Sequence, residues 1–295
     1  MLVCATGSTA VAADEPGEAR LEHEVGSGWS LALDEDFDRI DLDRWTLKHD
    51  TYSSNEDSFS LRDNCSIEDV GAGGHALRLQ GKEEVVRRFG KRWDFTSCYA
   101  TTEGNFSLPD YFRAEVRAKV PMEQGMWPAP LWFRPTDGSG GEIDVVETLG
   151  READDPLVHQ TIHTDYGAAH KLSSFDFPFD DLGDRAGTRW HTYTIEKLPG
   201  EITMWVDDEQ TAQWSAADPE WFSDYYDAGK RWELRINLQV GGSWAGRPDS
   251  STDWTADRTA MLVDRVRAWT PLTSQVPPPP TWLRRALDLL SLDLF

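Results

Sequence analysis

The chain has 295 residues, 52 of them acidic and 29 basic, for a formal net charge of −23. Its seven lysines are scattered singly, so it lacks the basic footprint that nucleic acid or anionic lipid requires; anionic substrates are disfavoured less firmly. No run of 18 apolar residues is present, which excludes a transmembrane helix.

Fourteen tryptophans among only 39% hydrophobic residues leave two uses open, core filling or flat platforms for a ring-shaped ligand. Residues 1–13 are short, apolar and end in an A-x-A-like site at Ala10, Val11 and Ala12. They read as the tail of an export signal, although a positively charged start is missing and an unstructured N-terminus is the competing reading. Residues 14–26 then form a linker, and the mature protein is expected to be secreted or extracellular. Cys4 would leave with the signal. Cys65 and Cys98 remain as an even pair in strand-like segments. A disulfide between them, worth roughly 3 to 4 kcal/mol in the chain-entropy model, stands beside the alternative of two buried thiols.

From 27 to 271 the chain carries short β-rich runs broken by Gly, Pro, Asn and Asp, with no long helical periodicity. Alternation is clear at 112–120, 190–196, 202–206, 232–240 and 261–269, with turn signals at Pro199 and Gly241. The fold class is therefore all-β, one large β-sandwich of jelly-roll type whose curved sheet can form a concave groove.

The segment Gly141-Glu142-Ile143-Asp144-Val145-Val146-Glu147 is the most informative. In a strand Glu142 and Asp144 share one face, whereas strict alternation puts Glu147 on the apolar face, where an unpaired carboxylate costs several kcal/mol. A β-bulge near Val145-Val146 returns Glu147 to the acids. The two glutamates would then lie about 13 Å apart at Cα, and inward-leaning side chains would leave a gap of about 5 Å, close to the spacing of a retaining glycosidase. Three acids on one face repel one another, so one should hold a proton at neutral pH. An acidic edge strand or a Ca²⁺ site is the alternative. Alternation also places Trp132 and Arg134 beside Glu142, and Arg235, Asn237 and Gln239 on the polar face of their strand. His163 shares a face with His159 and Thr161.

The E-I-D-V-V-E segment resembles the E-x-D-x-x-E motif of glycoside hydrolase family 16, the laminarinase and agarase group with a concanavalin A-like jelly roll. The likeness extends over Gly28–Leu31 with Asp34–Phe37, Thr101–Phe106, Gly125–Ala129 with Trp132, Trp190–Tyr193, Asn237–Trp244 and Val263–Arg267. The resemblance implies Glu142 as nucleophile, Glu147 as general acid/base and Asp144 as the carboxylate that hydrogen-bonds and tunes the nucleophile. It adds Trp127, Trp244 and His163 to the groove. It also implies a structural Ca²⁺ held by Asp36, Gly74 and Asp264, while catalysis needs no cofactor. Pro130-Leu131, Arg134, Gln239 and Val146 depart from the family pattern, and several line the expected groove, so substrate specificity transfers less safely than chemistry. The implied function is a retaining endo-β-glycosidase acting on a neutral polysaccharide, β-1,3-glucan first and β-1,3/1,4-glucan next. A β-galactan or agarose hydrolase, a transglycosylase and a non-catalytic glucan-recognition module are the alternatives.

Residues 272–281, with Pro277 to Pro280, read as a stiff linker, and 282–295 as a short amphipathic helix. Packing on the main domain and a role in self-association or surface attachment are both open for that helix. The catalytic body is expected to be a monomer.

Overall fold

A computed structural model describes residues 28–184, 187–227 and 229–272. The expectations for the signal-like segment, the N-terminal linker, the proline run and the C-terminal helix lie outside the described residues. The chain runs through β1 (Trp29–Glu35), β2 (Thr46–Leu47), β3 (Ser58–Ser60), β4 (Cys65–Gly71), β5 (Gly74–Gln80), β6 (Lys82–Arg88), β7 (Lys91–Thr101), β8 (Phe112–Lys119) and β9 (Met126–Pro135). It continues through β10 (Glu142–Glu147), β11 (Leu157–His163), β12 (Leu172–Pro178), β13 (Trp190–Leu198), β14 (Glu201–Val206), β15 (Glu209–Ser215), a short helix α1 (Phe222–Tyr226), β16 (Trp232–Val240) and β17 (Ala260–Pro271).

Two sheets result. One has eight strands in the order β15-β14-β13-β8-β17-β5-β4, with β1 also on β17. The other has nine in the order β12-β11-β10-β9-β16-β7-β2, with β3 and β6 also on β7. Their inner faces share one core, where Phe112 of β8 meets Phe133 of β9 at 4.8 Å between ring centroids. The fold is the expected β-sandwich, and period-two patterning explains its sidedness. In β16, Trp232, Leu234, Ile236, Leu238 and Val240 are all fully buried, while the residues between them point outward. Trp45 and Trp269 are buried, whereas Trp190 and Trp205 receive Arg117 and Arg113 over their rings. Cys65 and Cys98 are joined in a disulfide with their Cα atoms 5.4 Å apart, tying β4 of one sheet to β7 of the other.

A buried polar network underlies β10. Lys197 is fully buried and donates to Asp110 Oδ1 at 2.9 Å, to the Asp110 carbonyl at 2.8 Å and to the Tyr226 carbonyl. The Tyr226 hydroxyl lies 2.8 Å from the Glu142 carbonyl and 2.6 Å from the His163 carbonyl, so α1 pins β10 to β11 from the core side.

Candidate active site

The outer face of the nine-stranded sheet carries a cleft of about 980 Å³. Its floor is a set of cross-strand rungs. Glu142 of β10 faces His163 of β11, and Asp144 faces Thr161 on one side and Trp132 of β9 on the other. Trp132 in turn faces Arg235 of β16. Between Asp144 and Glu147 the register shifts against both neighbours, and beyond it Glu147 faces His159. This is the bulge that the burial argument demanded. Val145 and Val146 are both fully buried, two successive residues turned into the core, and Glu147 emerges beside the other acids in the cleft. Gly242 makes the opposite rim possible: with φ of 104°, any Cβ would stand 2.1 Å from the Asn55 carbonyl, so only glycine lets the two loops meet.

The three carboxylates have different surroundings. Glu142 accepts hydrogen bonds on both oxygens, from Arg134 Nε and from the Tyr166 hydroxyl. Asp144 is buried, and burial together with the Glu142 charge raises its pKa well above the ordinary aspartate value. Burial, then the Asp144 charge, likewise raises Glu147 well above the glutamate range, against the Trp127 indole N–H that donates to it at 2.8 Å. His163 Nε2 lies 2.9 Å from Asp144 Oδ2, and burial lowers the histidine's pKa. The Asp144 carboxyl and the His163 ring nitrogen are thus within hydrogen-bond distance across the β10–β11 pair. His163 Nδ1 then reaches His170 Nε2 at 2.9 Å. Asp144 thus has His163 as its close polar partner, while the Glu142 charge beside it helps to raise its pKa.

The remaining groove residues are braced before any ligand arrives. Trp132 Nε1 donates to Asn237 Oδ1 at 2.6 Å, and the Arg235 guanidinium lies 4.9 Å over the Trp132 ring while bonding Glu233 and the Tyr99 hydroxyl. Trp127 and Trp244 meet edge to face at 5.1 Å. Gln239 lies 3.5 Å from Asn55. All eight residues assigned to substrate from the sequence, Trp127, Trp132, Arg134, His163, Arg235, Asn237, Gln239 and Trp244, line the same cleft as the three acids.

Sequence reasoning missed Tyr166 and His170. Both sit on the turn-rich connection between β11 and β12, where no periodicity assigns a face; Tyr166 stacks on His170 at 4.6 Å and receives Arg134 over its ring at 4.9 Å. It also missed Glu56, whose carboxyl burial pushes up to about 7 at the cleft edge, and which accepts the Ser53 N–H at 3.1 Å.

Two metal readings can be tested on these residues. Glu142, Asp144 and His163 bring ligand-type atoms within 4.8 Å of one another, but the Arg134 guanidinium bonded to Glu142 already supplies positive charge there. Asp36, Gly74 and Asp264 belong to the other sheet: Asp36 follows β1 and Gly74 opens β5, and both strands pair with β17, which carries Asp264. One Asp264 oxygen is ion-paired with Arg117 and the other is buried without a hydrogen-bond partner, while Asp36 is exposed. Oxygen donors are the right class for Ca²⁺. With a guanidinium neutralising the trio's one shielded carboxylate, however, the residues as placed do not fit a calcium ion.

Comparison with known proteins gives a consistent set of relatives. Residues 75–256 match the family model described as glycosyl hydrolases family 16. A β-glucanase of Rhodothermus marinus is 29% identical over 255 residues, covering 82% of this chain and 85% of the relative. An endo-1,3-1,4-β-glycanase of Rhizobium meliloti is 33% identical over 178 residues, covering 60% of this chain and 34% of that longer protein. The laminarinase catalytic domain of Thermotoga maritima superposes with a TM-score of 0.69 at 26% identity, covering 83% of this chain and all of that domain.

Proposed function

The chain belongs to glycosyl hydrolases family 16, and from that premise we propose that it is an exported, retaining endo-β-glucanase that cleaves β-1,3-linked glucan by double displacement. The observation that carries this reading is the bulge in β10, which sets Glu142, Asp144 and Glu147 on one cleft floor in unlike surroundings. Glu147, its pKa raised by burial, holds the proton that the leaving glycosidic oxygen needs. Glu142, an acceptor on both oxygens, attacks the anomeric carbon and forms the glycosyl-enzyme. Glu147, now ionised, takes a proton from the incoming water, which releases the sugar with its anomeric configuration retained.

Attack requires one Glu142 oxygen to turn toward the sugar. Tyr166, 55% exposed, is the partner more readily displaced, whereas Arg134 is fixed by its strand. A sugar ring entering the site thus exchanges the Tyr166 hydrogen bond for its own contact, and Arg134 stays to orient the nucleophile. Trp132, clamped between Arg235 and Asn237, offers a face for a neighbouring sugar unit. The substrate class is supported by the relatives, named a β-glucanase and an endo-1,3-1,4-β-glycanase, and by the net charge of −23, which favours a neutral polymer. Export fits the Cys65–Cys98 disulfide, which persists outside a reducing cytosol; among the described residues no helix is long and apolar enough to cross a membrane.

The test is reducing-end release and product mapping on laminarin, lichenan, xyloglucan, agarose and carrageenan, with the anomeric form of fresh products followed by proton NMR. Oligosaccharides released from laminarin in the β configuration are expected. Binding without release, release confined to the galactans or inverted products would overturn the assignment.

A further inference from the structure

Beside the cleft stands a second, smaller hollow that the catalytic reading does not use. The β6–β7 hairpin packs Phe59, Val86 and Trp93 into a hydrophobic cluster separate from the main core. Tyr52 rests on that cluster, its ring 5.0 Å from Trp93 and 6.4 Å from Phe59, and remains 39% exposed. Next to it opens a pocket of about 260 Å³, walled by Tyr52, Lys91, Trp93, Asp94 and Arg247 among others. The polar wall is cross-linked: Asp94 receives Arg92 Nε at 2.6 Å on one oxygen and Arg247 Nη2 at 2.6 Å on the other, and the Arg247 guanidinium lies 5.2 Å over Phe95. Ser53, Ser54 and Glu56 line both this pocket and the catalytic cleft, so the two are continuous around the loop that carries Tyr52.

The hairpin as a sequence is basic, with five cations and two acids over 82–92 in a chain of net charge −23. Inside the pocket that excess disappears. Arg92 and Arg247 are both bound to Asp94, Arg247 also lies 3.6 Å from Asp57, and Glu56 lines the shared edge. A near-neutral hollow with an aromatic wall and a fence of paired hydrogen-bonding groups suits an uncharged sugar, whose C–H face stacks on a ring while its hydroxyls meet planar polar groups. A polyanion would find each guanidinium already paired.

We propose that this pocket is a distal subsite that holds the substrate polysaccharide beyond the catalytic cleft, with Tyr52 as the stacking face and Lys91 and Arg247 as hydroxyl partners. The proposal rests on the glucanase reading and deepens it, since it makes the enzyme favour long chains. A polymer running through the cleft reaches the pocket around the 51–57 loop; a short oligosaccharide fills the cleft and stops. Lys91 Nζ lies 5.1 Å over the Tyr52 ring, so a sugar on that face replaces one contact of the ring by another.

The experiment compares wild type with Tyr52→Leu, which keeps apolar packing on Phe59 and Trp93 but removes the flat face, and with Lys91→Ala, which leaves the cluster intact. Initial rates are measured on long laminarin and on a laminari-oligosaccharide just long enough to fill the cleft. The expected result is a KM on the polymer raised by about tenfold for Tyr52→Leu, the scale of one lost aromatic contact. A smaller rise is expected for Lys91→Ala, with kcat and all oligosaccharide kinetics unchanged. Equal losses on both substrates, or polymer kinetics like wild type in both variants, overturn the proposal. Failure of the glucanase reading shows separately as no release by wild type; the subsite is then read by calorimetric titration with the same polymer, which the variants must weaken if the pocket holds it and leave unchanged if it does not.

Discussion

The outer faces of the two sheets treat acidic residues in opposite ways. On the eight-stranded sheet four acids stand against a cation from the neighbouring strand: Asp264 with Arg117, Glu196 with Arg113 at 3.4 Å, Glu68 with Arg78 and Asp34 with Arg267 at 3.0 Å. On the nine-stranded sheet Glu142, Asp144 and Glu147 have Arg134 as their one bonded cation, and the other two acids are pushed toward their protonated forms. The first arrangement is what stability requires of acids close to a core; the second leaves charge uncompensated where a proton must move. In a chain so acidic throughout, abundance of carboxylates marks nothing, and three neighbouring acids that share a single bonded guanidinium mark the site.

The comparison breaks most visibly at Glu142. If its charge is reactive rather than structural, Glu142→Gln lowers kcat by more than about 10⁴-fold on every substrate while the fold is kept, as for other nucleophile deletions. Near-wild-type reducing-sugar release would remove Glu142 from the role. Next in size is Glu147→Ala, expected to cost about 10² to 10⁴-fold on glucan, the usual worth of a general acid, and much less on an aryl glycoside whose leaving group needs no proton. Because the acid must be protonated, wild-type kcat/KM should fall as pH rises through the raised Glu147 value, and the variant should lack that limb on the activated substrate.

Two stability measurements sharpen the contrast, because they should have opposite signs. On the eight-stranded sheet, Arg117→Met leaves a shielded Asp264 carboxylate without its cation and should destabilise by about 1 to 3 kcal/mol in urea titrations, with activity per folded molecule unchanged. If added calcium restores the loss, the arginine has been standing in for a metal; if it does not, the trio Asp36, Gly74 and Asp264 has no latent site. In the cleft, Glu147→Gln should stabilise by about 0.5 to 2 kcal/mol at neutral pH, the usual gain when an active-site strain is relieved. The sign follows from linkage. A carboxyl whose folded pKa is raised contributes its full stability below the unfolded value and loses it as pH rises through the folded one. The melting temperatures of variant and wild type should therefore converge in acid and diverge above the ordinary glutamate range. A gap independent of pH would show that Glu147 is not strained.

Much of this was readable from residue order alone because strands have a period of two. The faces of β16 followed from Trp232, Leu234, Ile236, Leu238 and Val240, and the bulge followed from the cost of burying Glu147 under strict alternation. What stayed hidden sits on connections. Tyr166 and His170 lie between strands, where turn residues fix the path of the backbone but no periodicity says which way a side chain points. The contact between Asp144 and His163 was hidden for a related reason: the resemblance pointed Asp144 at Glu142, and only the pairing of β10 with β11 brings His163 within 2.9 Å of it. The Lys197 network behind Tyr226 was likewise invisible, since a lone lysine within a strand gives no sign that it will be fully buried.

The paired valines of β10 have an evolutionary consequence. Val145 and Val146 touch no substrate, and both are fully buried, so their identity matters only as packing volume. Their number is another matter: losing either one would restore regular alternation and turn Glu147 into the core, erasing the acid without altering it. Another apolar residue of similar volume at either position would keep the bulge, whereas deletion of either would remove it. What the lineage must inherit there is a count of residues rather than a chemical identity.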